Sequence, residues 1–153
     1  MSNSLLIRPV QERDFGRWRP LWDGYNEFYG RWGDTALPQA VTDVTWGRFF
    51  AQDEPVHALV AEIGDDLVGM THYVFHRVTT RVEPVCYLND LFTSSGARGR
   101  GVGRALIDGV CGAARLQGCQ SIYWLTHETN ATARRLYDQV ADNSGFLRYV
   151  KAT

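Results

Sequence analysis

The sequence predicts one α/β domain of mixed topology, and three observations predict it. At 153 residues the chain fits a single domain, long enough to bury roughly 68–70% of its unfolded surface by the usual size scaling. Runs with strand-like alternation are interleaved with stretches in which apolar residues recur every three or four positions. No repeat, linker or low-complexity segment interrupts that succession.

Composition narrows the function classes. With 44% hydrophobic and 22% charged residues and a formal net charge of −1, the chain has no global field for nucleic acid or a membrane, so any basic site must be local. "MSNSLLIRPVQERDF" has no cationic stretch followed by a long apolar run, and nowhere do 18 apolar residues follow one another, so a soluble, cytoplasmic protein is expected. Cys86, Cys111 and Cys119 are odd in number and lack C-x-x-C spacing, which reads as reduced, partly buried thiols rather than a disulfide framework or zinc site.

"SLLIRPV" reads as an opening strand near a sheet edge, since Pro9 cannot donate to a ladder. From Asp14 to Trp32, Phe15, Trp18, Trp22, Tyr25, Tyr29 and Trp32 recur at three and four and form one helical stripe, which Pro20 should kink or split. Ten of the 19 aromatic residues fall between Phe15 and Phe50, as core packing or as a pocket wall. A second helix is expected from Pro38 to Gln52. "VHALVAEI" and "LVGMTHYVFHRV" flank Gly64-Asp65-Asp66 as a hairpin. His72 and His76 lie four apart, but on a strand that separates them by roughly 13 Å, which disfavours a shared metal. "VCYLNDLFTSS" is a further strand, followed by a helix from about Gly101 to Gln117 that Gly118 stops. "QSIYWLT" returns as a strand, Asn130 or Thr129 caps a helix running to about Val140, and "GFLRYVK" closes the chain as a last strand.

Between strand and helix lies "SSGARGRGVGRAL". Glycines allow close approach or positive φ, and a helix start points free N–H groups into the loop, so its natural guest is an anion. A dinucleotide fingerprint counted from Gly99 and Gly101 fails because its last position is Arg104, and the Gly-Lys-Ser/Thr ending of a triphosphate loop is absent. Arg-x-x-Gly-x-Gly remains, as Arg98, Gly101 and Gly103.

That spacing resembles the acetyl-CoA loop of the GNAT superfamily of N-acetyltransferases, and the order of elements resembles the family over nearly the whole chain. "YLNDLFT", "HETNATARRLYD" and "GFLRYVK" look like its histone and polyamine acetyltransferase branch. The resemblance implies a central, mostly antiparallel sheet flanked by helices, with acetyl-CoA as cosubstrate and no metal. It implies a pyrophosphate held by Arg98, Gly99, Arg100, Gly101, Val102, Gly103 and Arg104. The pantetheine arm would lie along the backbone of Leu91, Phe92 and Thr93. It further implies that Asn130 holds the arm and that Tyr137, two helical turns on along the same face, protonates the leaving thiolate. A homodimer is expected on the same ground.

The acceptor it implies is a primary amine, either a polyamine-like small molecule or a protein lysine, with no nucleic acid or membrane partner. An alkyl amine is mostly protonated at neutral pH, so a base or an anchoring carboxylate is needed. Asp90 is the candidate, with Glu83, His127 and Glu128 as further possibilities. Similar polyamine acetyltransferases read Glu-Asp where this chain reads Asn89-Asp90, so the family's glutamate base does not carry over. The alternative is a GNAT fold that binds acyl-CoA without transferring the acyl group.

Overall fold

A computed structural model describes residues 4–153, so the first three residues of the N-terminal stretch lie outside the described residues. Strand β1 (Leu5–Pro9) leads through a 3-10 turn (Glu12–Asp14) into α1 (Phe15–Phe28), a second turn (Gly33–Thr35) and α2 (Gln39–Arg48). Strands β2 (Val56–Ile63), β3 (Asp66–His76) and β4 (Val85–Thr93) follow. A short turn (Ser95–Ala97) then opens into α3 (Val102–Leu116), β5 (Ile122–Tyr123) and α4 (Ala131–Val140). The sheet order is β1-β2-β3-β4-β5, with antiparallel pairs as far as β4 and a parallel β4–β5 pair. β1 lies at the edge, as Pro9 requires.

The two faces of the sheet have different chemistry. Under α3 lies an aliphatic core in which Leu59, Leu88, Leu106, Ile107 and Val110 meet. Under α1 and α2 lies an aromatic one built on Trp18, Trp22, Val60 and Met70, with Trp46 and Phe49 against it. The aromatic stripe of α1 thus enters the core through Trp18 and Trp22, and only Tyr29 and Trp32 at its end are exposed.

Three expectations are corrected. Pro20 does not split α1: it forfeits only the bond to the Gly16 carbonyl, and burial of Trp18, Leu21 and Trp22 on either side holds the helix together. The helix stops at Phe28, before Trp32, because Gly30 takes φ 77° and the amides of Gly30 and Arg31 turn back to the carbonyls of Glu27 and Asn26. "GFLRYVK" is not a strand. β5 has only two residues, and residues 141–153 form neither helix nor strand. Gly118, at φ 81°, ends α3 as expected. Among the described residues no helix is long and apolar enough to cross a membrane.

Candidate active site

A single extra residue in β4 builds the centre of the site. His72 faces Asp90 across the β3–β4 ladder while Tyr73 faces Leu88, so Asn89 is a β-bulge. Leu88 points into the aliphatic core, and strict alternation would send Asp90 the same way. The bulge instead turns Asp90 to the opposite face, beside Trp22, Tyr25 and His72. Beyond Tyr87 the same edge of β4 has no strand neighbour, because β5 pairs only at Cys86 and Tyr87. The backbone from Leu91 to Thr93 therefore lies along an open edge.

Asp90 is 9% exposed and is held by donors rather than by a cation. His72 Nδ1 lies 2.8 Å from its Oδ2 and Asn89 Nδ2 donates to its Oδ1 at 2.9 Å, while the nearby Tyr25 hydroxyl also favours the charged form. The Trp18 indole N–H donates to His72 Nε2 at 3.1 Å. An indole can only donate, so Nε2 must accept and Nδ1 must carry the imidazole proton that Asp90 receives. Burial raises the Asp90 carboxyl, but His72, Tyr25 and Asn89 outweigh it and leave the group below its ordinary range. The result is a buried, ionised carboxylate. Burial, with the Asp90 charge adding to it, keeps Tyr25 protonated.

Asp90 borders a cleft of about 510 Å3 lined by Trp22, Leu37, Phe49 and Val74 among others, with Arg31 and Arg48 at its polar margin. Arg31 donates from Nε to the side-chain oxygen of buried Asn26 at 2.7 Å, and its guanidinium lies 5.7 Å and 5.4 Å from the ring centres of Tyr25 and Tyr29. Among the described residues no carboxylate pairs with it. Arg48 is only loosely paired, 3.8 Å from Glu54.

The glycine-arginine loop runs off the end of β4. Gly99 and Gly101 have φ 81° and 76°, and Gly101 caps α3 in the left-handed region. The first helical bond runs from Ala105 to the Gly101 carbonyl, so the amides of Val102, Gly103 and Arg104 have no partner within the helix. Arg98 packs over Phe92, with Nε 3.3 Å from the Thr93 carbonyl, and among the described residues no carboxylate neutralises Arg98, Arg100 or Arg104. Free amides and three uncompensated cations suit a pyrophosphate. A Cβ on Gly103 would press on Leu136 at 3.3 Å, so that glycine also sets the approach of α3 to α4.

On α4 the Asn130 side chain caps the helix by accepting from Ala133 N at 3.4 Å. Tyr137 packs edge-on against Trp124 at 5.3 Å, and burial, with a smaller push from Tyr29, raises its hydroxyl to about 12. The other candidate bases do not join Asp90. Glu83 is exposed beside Gly118. His127 Nδ1 accepts from the Thr129 hydroxyl at 2.6 Å, and the Glu128 carbonyl accepts from Arg134. His72 and His76 serve different neighbours, the latter accepting the Tyr123 hydroxyl at 2.7 Å. Sequence reasoning missed Tyr25, Asn26, Arg31 and the role of His72. Only the spacing of Tyr25 and Tyr29 in the stripe hinted at a wall.

Comparison with known proteins gives the family and the fold. Residues 18–141 match the family model described as Acetyltransferase (GNAT) family. The D-amino-acid N-acetyltransferase HPA3 of Saccharomyces cerevisiae is 33% identical over 152 residues, covering 97% of this chain and 91% of that protein. The uncharacterised N-acetyltransferase YhfO of Bacillus subtilis is 26% identical, covering 94% of each. Among solved structures, AAC(6')-Iy in complex with a CoA-linked bisubstrate analogue superposes with a TM-score of 0.81 at 17% identity, covering 98% of this chain and 99% of that one. The family model over residues 18–141 and the 33% identical relative covering nearly the whole chain place it in the GNAT family of acetyltransferases.

Proposed function

We propose that the chain transfers the acetyl group of acetyl-CoA to the amine of a small acceptor that also bears a carboxylate, with an amino acid as the simplest member of that class. One observation carries the reading: a buried carboxylate, Asp90, and a guanidinium with no carboxylate partner among the described residues, Arg31, share one cleft, with Tyr25 beside the first and stacked under the second. Such a cleft is complementary to a zwitterion, and a polyamine would bring its second ammonium against Arg31. The similarity to a D-amino-acid N-acetyltransferase points the same way.

In this reading the loop from Arg98 to Arg104 binds the pyrophosphate, and the open edge at Leu91–Thr93 receives the pantetheine amides as an added strand. Asp90 anchors the acceptor ammonium. A carboxyl held below its ordinary range is a poor base towards an amine, so the proton leaves to water and Asp90 serves as anchor. The free amine attacks the thioester carbonyl, a C–N bond forms and the C–S bond breaks. Tyr137, protonated at neutral pH, donates its hydroxyl proton to the departing thiolate, and the proton shed by the newly acylated nitrogen returns through water to restore that hydroxyl.

The test is an acceptor screen with acetyl-CoA and D- and L-amino acids, spermidine and a lysine peptide, read by free-thiol release and product mass. Acetylated amino acids are the expected products. Acetylation of spermidine or the peptide alone overturns the zwitterion reading, and thiol release with no amine overturns the transfer itself.

A further inference from the structure

The cleft beside Asp90 continues past the charged groups into an apolar end. On the face of the sheet beneath α1 and α2, cross-strand pairs are covered one after another: Val60 with Met70 is fully buried, and Ala58 with His72 nearly so. The next pair on that face, Val56 with Val74, is only half-buried. Val74 lies two residues beyond His72 on β3, and His72 faces Asp90, so the valine pair sits about 7 Å along the strand from the level of the carboxylate.

From the helical side, Leu37, Val41 and Phe49 line the same cleft. The Phe49 ring is 4.8 Å from that of His72, which joins the apolar end to the charged one. Val41 is 41% exposed and borders the cleft on α2. At the margin stands Arg48, with Glu54 3.8 Å from its Nε.

An α-amino acid has three groups to place around its Cα. With the ammonium at Asp90 and the carboxylate at Arg31, the side chain remains, and a reach of about 7 Å onto apolar surface suits one the length of leucine or phenylalanine. A cationic side chain would approach Arg48, and an acidic one would compete with Glu54 for it while crossing the valine pair unpaired.

We propose that Leu37, Val41, Phe49, Val56 and Val74 form a side-chain subsite that selects amino acids with large apolar side chains. The subsite rests on the zwitterion reading of this cleft and adds the identity of the third substituent.

The test is kcat/KM with acetyl-CoA for alanine, leucine, phenylalanine, arginine and glutamate, each as both enantiomers, read by free-thiol release. For the accepted enantiomer, leucine and phenylalanine should exceed alanine by roughly 10–200-fold, the range typical of apolar groups filling a pocket. Val41→Trp from the helix and Val74→Phe from the sheet both fill the subsite, and each should bring the leucine-to-alanine ratio close to one. Equal values for alanine and leucine in the wild type, or a preference for arginine or glutamate, overturn the subsite and leave the zwitterion reading standing. A leucine preference that persists in whichever of the two variants folds overturns the placement. Acetylation of no amino acid overturns the zwitterion reading, and the subsite with it.

Discussion

His72 gives its Nδ1 proton to Asp90 across the bulged strand while its Nε2 accepts from Trp18, so the charge in the acceptor cleft is a carboxylate whose partners are all hydrogen-bond donors. Among the described residues no salt bridge to Lys or Arg engages it, so on the proposed function an incoming ammonium would be its first cationic partner. Asp90→Asn should raise KM for the amine roughly ten- to hundredfold, as expected for a charged hydrogen bond of ~1.5–3 kcal/mol, and leave acetyl-CoA affinity unchanged. Steady-state kinetics beside a binding titration checks both halves. A fall in kcat at constant KM would make Asp90 the base instead.

Arg31→Ala should separate acceptors by charge. KM for an amino acid should rise about tenfold or more, while that for an uncharged amine such as benzylamine should hold, because only the carboxylate loses its partner. Equal losses for both would return Arg31 to packing on Tyr25 and Tyr29.

Tyr137→Phe should retain acetyl-CoA binding and lower kcat by ~10²–10⁴-fold, the usual contribution of a general acid. With the hydroxyl raised to about 12, the wild-type rate should show no loss from Tyr137 ionisation across pH 7 to 10. Rate should rise through that interval as the free-amine fraction grows. A descending limb near pH 9 contradicts the assignment.

Acetyl-CoA at ~100 times its dissociation constant should stabilise the fold by about 2.7 kcal/mol in a thermal-shift series, with NAD and ATP doing little. Gly101→Ala should weaken that response, because φ 76° strains any side chain there even though nothing lies within 4 Å of the added methyl. A full response in the variant would move the phosphate site elsewhere.

Stability should fall in acid. Arg8 holds the buried Asp14 carboxyl far below its ordinary range against the opposing effect of burial, with the Gln11 amide and Arg17 assisting. A depressed carboxyl contributes stability above its unfolded value, near 3.9, and that contribution is lost as pH falls through the folded one. Melting temperature should therefore be level above about pH 5 and drop below pH 4. Asp14→Asn should start lower at neutral pH and show a shallower acid slope.

The fold was legible wherever local rules govern. Pro9 marked an edge strand, Gly118 a helix stop and Asn130 a cap, each through its own backbone chemistry. The glycine-arginine loop was legible as a strand-to-helix junction, because Gly99 and Gly101 take the left-handed φ that glycines allow. The acceptor cleft was not. Asp90 faces Tyr25 and His72 only because Asn89 bulges, and a bulge follows from long-range register, which a sequence reader cannot see. Arg31 was missed for a different reason: a charged residue at the end of a stripe reads as solvated until its ring partners are known. The last strand failed differently: "GFLRYVK" has strand chemistry but meets no edge within its own chain.

The stacking of Trp18 on Trp22, 5.6 Å apart and 14° from parallel, has an optical consequence. Two near-parallel indoles at that separation couple their transitions, so the near-ultraviolet dichroism of this protein should carry an exciton band from the aromatic core. Trp22 also borders the cleft beside Asp90, and Trp124 lies against Tyr137. If the proposed roles of the two sites hold, stopped-flow emission should change as an amine meets Trp22 and as acetyl-CoA approaches Tyr137 beside Trp124, without a label.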